Sequence, residues 1–240
     1  MINLAISIGV ALVLAIGLVL LQTSWFIYVP MGLVAGVTTF LVLGRRIQTQ
    51  LEAIMYQMQK DIQSGKLDRA IDTLKQGYSL KNRHIFVEGQ LNSQIGVLYY
   101  LKKDHERALE YLSKGFVKHH IAQCMLAIIH YKRKNLDEMK KVMDETIRAN
   151  GKQSICYGLY AWLLHQNKDK EGAMAMLQKG LKKMPDDEKL TNNLTLLQND
   201  KKMKMKAYGD MWVQFMLERP PRVQQEAPPH MRMRRKAMFR

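Results

Sequence analysis

Three observations predict an all-α chain: an N-terminal two-helix transmembrane hairpin, an α-solenoid of stacked helix–turn–helix repeats, and a basic tail. Residues 1–44 contain no Asp, Glu, Lys or Arg, so all 37 basic and 21 acidic residues follow Gly44. Residues 45–200 combine helical periodicity with a single proline and no strand-like alternation. The last 40 residues hold 11 basic and 3 acidic side chains, half of the net charge of +16. With 47% hydrophobic residues the chain is neither disordered nor uniformly membrane-embedded. A soluble enzyme would have to hide 44 uncharged, mostly apolar residues. Two cysteines cannot staple a scaffold of this size. The expected domains are residues 1–44, 45–200 and 201–240.

Residues 4–21 form an apolar run interrupted only by Ser7, and residues 25–43 form a second. About 20 apolar residues span roughly 30 Å of hydrocarbon as a helix. Gln22, Thr23 and Ser24 provide the polar turn, flanked by Trp25 and Tyr28, which favour the membrane–water interface. Pro30 falls in the first turn of the second helix, where its missing N–H does little harm. A cleaved signal peptide fits badly, because no basic residue precedes the first run and a second follows at once. A buried hairpin in a soluble protein fits worse, since neither run has a polar face. Arg45 and Arg46 favour the cytoplasmic side, which places both termini and nearly the whole chain there. The reducing compartment agrees with Cys124 and Cys156. The short hairpin without a basic leader suggests a bacterial inner membrane. Gly32 and Gly36 make a G-x-x-x-G, with Ala11 and Ala15 offering a similar face. Such spacing packs the hairpin on itself or mediates self-association.

Self-comparison finds Ala-x-x-x-Leu-x-x-Gly at Ala70–Leu74–Gly77, Ala108–Leu112–Gly115 and Ala173–Leu177–Gly180, with a weaker copy at Met139 and Met143. Each follows a charged turn, and the steps are 38, 31 and 34 residues. Upstream of these, Ile95-Gly96 and Tyr99, Leu126-Ala127 and His130, and Tyr160-Ala161 and Leu164 set a small residue among large ones. The first copy offers only Met58 at that place, and Pro185 closes the fourth. This pattern resembles the tetratricopeptide repeat, a helix–turn–helix unit of about 34 residues. The resemblance covers residues 51–189, with 190–197 as a polar capping helix. The rival is an ordinary helical bundle.

The resemblance implies a concave groove lined by the first helix of each unit. Its positions here are Ser93, Val97, Tyr100 and Leu101, then Cys124, Ile128, Tyr131 and Lys132, then Gly158, Trp162, His165 and Gln166. Apolar and aromatic residues fill them rather than paired Lys and Asn, so a clamp for a peptide carboxylate is not expected. The binding set is Val97, Tyr100, Leu101, Ile128, Tyr131, Trp162 and His165, suited to an amphipathic helix or apolar peptide of a partner protein. Alternatively the chain's own Tyr208, Met211, Trp212, Phe215 and Met216 occupy the groove as the stripe of an amphipathic helix over 207–218.

In the tail, Arg232, Arg234, Arg235, Lys236 and Arg240 alternate with apolar residues and suit contact with anionic lipid, or else form a solvated segment. No nucleic-acid module accompanies the charge, so no nucleic-acid partner is expected. The chain has no phosphate loop, no G-x-S-x-G and no H-E-x-x-H. His120 and Cys124 share a helical spacing, beside His119, but fall short of a tetrahedral metal site. No cofactor, metal or catalysis is expected. The sequence thus points to a non-catalytic scaffold that recruits a partner at the membrane. The alternative is a structural subunit or assembly factor held in a membrane complex by its hairpin.

Overall fold

The computed structural model describes residues 2–22 and 24–218, and all regular structure among them is helical. The first apolar run forms α1 (Ile2–Leu20) and the second opens α2 (Trp25–Gln63). Both are long and apolar enough to cross a membrane. They pack antiparallel through small residues. A Cβ on Gly32 would lie 3.2 Å from the Ala11 carbonyl and 3.4 Å from Ala15 Cβ, and one on Gly36 would lie 3.0 Å from Ala11 Cβ. The G-x-x-x-G face is therefore spent inside the hairpin. Ser7, on the same face of α1, is buried and donates its hydroxyl to the Asn3 carbonyl at 2.8 Å.

The expected boundary between residues 44 and 45 falls inside α2, which runs on across it without a break. Beyond Gly44, residues 45–63 contain no proline and are rich in helix formers. One glycine costs a helix about 1 kcal/mol, too little to stop a run of this length. At 1.5 Å per residue the 39 residues of α2 extend about 58 Å. Its far half is the first helix of the repeat stack, with Ile47, Leu51 and Met58 buried.

The stack continues as antiparallel pairs: α2 with α3 (Leu67–Gln76), α4 (Val87–Leu101) with α5 (His105–Ser113), α6 (His120–Lys132) with α7 (Leu136–Ala149), and α8 (Ser154–Gln166) with α9 (Lys170–Leu181). Helix α10 (Glu188–Gln198) packs on α9 and α8 as a cap. The repeated small and large residues form the core. Ala70, Ala108, Met139 and Ala173 are fully buried, as are Leu74, Leu112, Met143 and Leu177. At Gly96 the two helices of a pair approach closely: a Cβ there would meet Leu112 Cγ at 2.7 Å and Leu112 N at 3.0 Å.

The charged turns share one geometry. The first helix of each pair ends with a left-handed residue, Gly65 (φ 72°), Lys103 (64°), Lys134 (61°) or Lys168 (64°). The next N–H then bonds back five residues: Lys66 to Asp61, Asp104 to Tyr99, Asn135 to His130, Asp169 to Leu164. This closure satisfies carbonyls orphaned at the helix end. Asp104, Asn135 and Asp169 then cap the following helix by accepting from Arg107, Glu138 and Gly172 N–H. Two successive residues thus stop one helix and start the next.

Candidate functional site: a helical face covered by the chain's own strap

Residues 203–217 lie as a strap against side chains of α4, α8 and α10. The expected amphipathic helix over 207–218 does not form and is corrected to a short 3₁₀ turn (Met205–Tyr208) and one helical turn, α11 (Asp210–Val213). Gly209 explains the break. Its φ of 61° and ψ of −137° belong to a region open essentially to glycine alone. The strap nonetheless buries Met203, Met205, Tyr208, Trp212 and Phe215, while Met211 stays 38% exposed.

Specific contacts seat it. The Tyr100 hydroxyl donates to the Phe215 carbonyl at 2.6 Å. Trp212 meets the Trp162 ring edge-on, with centroids 5.4 Å apart, and Phe215 packs perpendicular to Trp212 at 6.0 Å. Tyr208 fills the space left by Gly158, where a Cβ would lie 2.6 Å from its hydroxyl oxygen, and that hydroxyl sits 3.2 Å from Ser154 Oγ. The Lys204 N–H donates to Asn193 Oδ1 at 2.7 Å. Burial pushes the Tyr100 and Tyr208 phenols above their ordinary value, so both stay neutral donors. The Lys132 ammonium lies 5.4 Å from the Tyr100 ring centroid, and desolvation lowers its pKa.

Of the groove residues read from sequence, Tyr100, Gly158 and Trp162 touch the strap directly. Ile128 is fully buried; Val97, Leu101 and Tyr131 pack half-buried against the core. His165 is half-buried, with its Nδ1 lacking a partner, as does Trp212 Nε1. Ser93 turns inward, donating to the Gly89 carbonyl and accepting the Phe116 N–H. Sequence reasoning missed Ser154, Asn193, Met203 and Met205. The signal for the methionines was the alternation Lys-Met-Lys-Met-Lys, which puts both on one side of an extended segment. Arg232, Arg234, Arg235, Lys236 and Arg240 lie outside the described residues.

Cys124 and Cys156 face each other across α6 and α8 with sulfurs 3.8 Å apart, and this contact and burial raise the Cys124 pKa. Among the described residues no group of three or more His, Cys, Asp or Glu is placed to hold a metal ion.

His119 has a structural duty. Its Nδ1 accepts the Ala122 N–H at 3.2 Å and so caps α6, which requires an unprotonated nitrogen. Burial lowers its pKa, as it does for His105, His120 and His130. The unfolded chain therefore takes up these protons first. The stability they carry is complete above the unfolded value near 6.5 and is lost as pH falls below it. Urea midpoints are expected to drop between pH 7.5 and 5.5. His119→Asn, which keeps a capping acceptor, should shrink that drop; an unchanged drop would remove His119 from the account.

No family model matches the chain, and no curated protein matches it. Solved structures of MamA are similar. A MamA RS-1 double mutant shares 17% identity over 69% of this chain and 92% of its own, with a TM-score of 0.47. MamA from residue 41 to its end, from Desulfovibrio magneticus RS-1, shares 18% over the same fractions with a TM-score of 0.46. A crystal structure of MamA shares 15% over 66% and 89%, with a TM-score of 0.47.

Proposed function

We propose that the protein is a non-catalytic, membrane-anchored repeat scaffold that captures a partner protein beside the bilayer. One observation carries this reading: a single helix, α2, is apolar over residues 25–43 and then becomes the first helix of the repeat stack. Arg45 and Arg46 at the end of the apolar run favour a cytoplasmic stack. The partner presents an amphipathic helix or apolar peptide to Tyr100, Tyr131 and Trp162 and takes the place of the strap. In the absence of partner, the strap covers Tyr100 and Trp162.

The test is capture from detergent-solubilised membranes by the full chain and two variants. Phe215→Ala, which loosens the strap, should raise capture. Tyr131→Ala with Trp162→Ala should abolish it at unchanged helical content. Equal capture by all three would favour a second reading, a subunit held in a membrane complex by its hairpin. The outward Leu12, Val13, Leu33 and Val34, each more than half exposed, support that alternative.

A further inference from the structure

Outside the hairpin, the exposed large apolar residues among the described ones are few: Tyr56, Ile85, Phe86, Val117, Met211 and Val213. Three of the six sit in two adjacent loops, one leading into α4 and one between α5 and α6. Ile85 is 62% exposed, Phe86 48% and Val117 41%. The Phe86 and Phe116 rings, 5.3 Å apart, join the loops into one edge. Lys81, Arg83 and Lys118 are exposed on the same loops, and neither residues 81–87 nor 115–121 include an acid.

The height of this edge is set by the hairpin. Gly32 lies against Ala11 and Ala15, and Gly36 against Ser7 and Ala11. Continuing that antiparallel register brings Ile2 beside the end of the apolar run near Leu43. There the Ile2 N–H donates to the Asn82 carbonyl at 3.0 Å, fixing the first loop at the base of the hairpin. The second loop follows: Phe116 and Lys118 border one cleft with Gln48 and Leu51. Gln48 stands five residues past Leu43, about 7 Å along the helix axis. The headgroup layer is itself roughly 5–8 Å thick on each side of the hydrocarbon.

We propose that this edge rests on the bilayer: Ile85, Phe86 and Val117 enter the interfacial layer while Lys81, Arg83 and Lys118 meet anionic headgroups. The inference rests on the membrane-anchor reading and adds to it a second, peripheral contact made by the repeat stack. Apolar side chains with flanking basic ones favour that interface through burial and charge together.

The test uses the full chain reconstituted into vesicles of phosphatidylcholine with or without phosphatidylglycerol, containing lipids brominated close to the headgroup. Trp25, beside the hairpin turn, reports insertion of the anchor in the parent protein. Ile85→Trp places a new fluorophore in the loop. The expected result is added quenching and a blue shift from Trp at position 85, both greater with phosphatidylglycerol. Adding Lys81→Glu and Lys118→Glu should remove the dependence on anionic lipid. If Trp25 is quenched and Trp at position 85 is not, the edge does not touch lipid and this inference falls while the anchor stands. If neither is quenched, both fall.

Discussion

Phe215→Ala will release the strap. Phe215 is fully buried, and truncating a buried phenylalanine costs about 3–5 kcal/mol. The backbone bond from the Tyr100 hydroxyl survives the substitution but loses the apolar cover that makes it worth having. Trp212 loses its perpendicular neighbour, and its buried indole N–H, which has no partner, gains a reason to reach water. The strap follows the last helix of the stack and carries none of its paired helices, so the loss should appear as local opening rather than unfolding. A protease specific for lysine reads this at Lys201, Lys202, Lys204 and Lys206. Cleavage limited by opening should quicken by about a hundredfold for roughly 3 kcal/mol, at unchanged helical content. Cleavage at the parental rate would mean that the strap is held elsewhere.

Gly96→Val will damage the stack itself. Its Cβ would fall 2.7 Å from Leu112 Cγ and 3.0 Å from the Leu112 backbone nitrogen. A side-chain end could swing away, but the backbone of α5 cannot without separating from α4. Overpacking of this kind costs typically about 1–3 kcal/mol, and a position closed by backbone belongs at the upper end. Gly89→Ala is the contrast. Its Cβ would meet Phe116 Cβ at 3.4 Å, an ordinary contact, and alanine is favoured over glycine within a helix by up to about 1 kcal/mol. Thermal midpoints should move in opposite directions. A Gly96→Val protein as stable as the parent would show that α4 and α5 are looser than the geometry requires.

Reading these residues from sequence works where one spacing serves one contact. Ala108 and Leu112 recur with Ala70, Leu74, Ala173 and Leu177 because each pair fills the fully buried seam between the two helices of its unit. The left-handed stops at Lys103, Lys134 and Lys168 are harder to see. Lysine carries no mark of that conformation, and only the capping Asp or Asn that follows betrays the turn. At Arg45 the arrival of charge reads as a boundary, yet a helix passes from an apolar run to a charged one without changing its backbone. Tyr208, Trp212 and Phe215 were legible as groove-filling residues, but their helical stripe was not the means. Gly209 breaks the helix, and an irregular strap delivers the same side chains to Gly158, Trp162 and Tyr100.

The continuity of α2 turns a count of residues into an angle. From Gly36 to Ile47 is 11 residues, close to three whole turns at 3.6 residues each. The face that receives α1 and the face that enters the repeat core are therefore in phase, so α1 runs up the same side of α2 that carries the stack. That phase is what lets the first residues of α1 reach Asn82. One residue inserted near Gly44 would swing everything beyond it by about 100° and raise it by about 1.5 Å. Relatives of this chain that differ in length here should differ by sets of seven or eleven residues, the increments that bring a helix back to nearly the same heading.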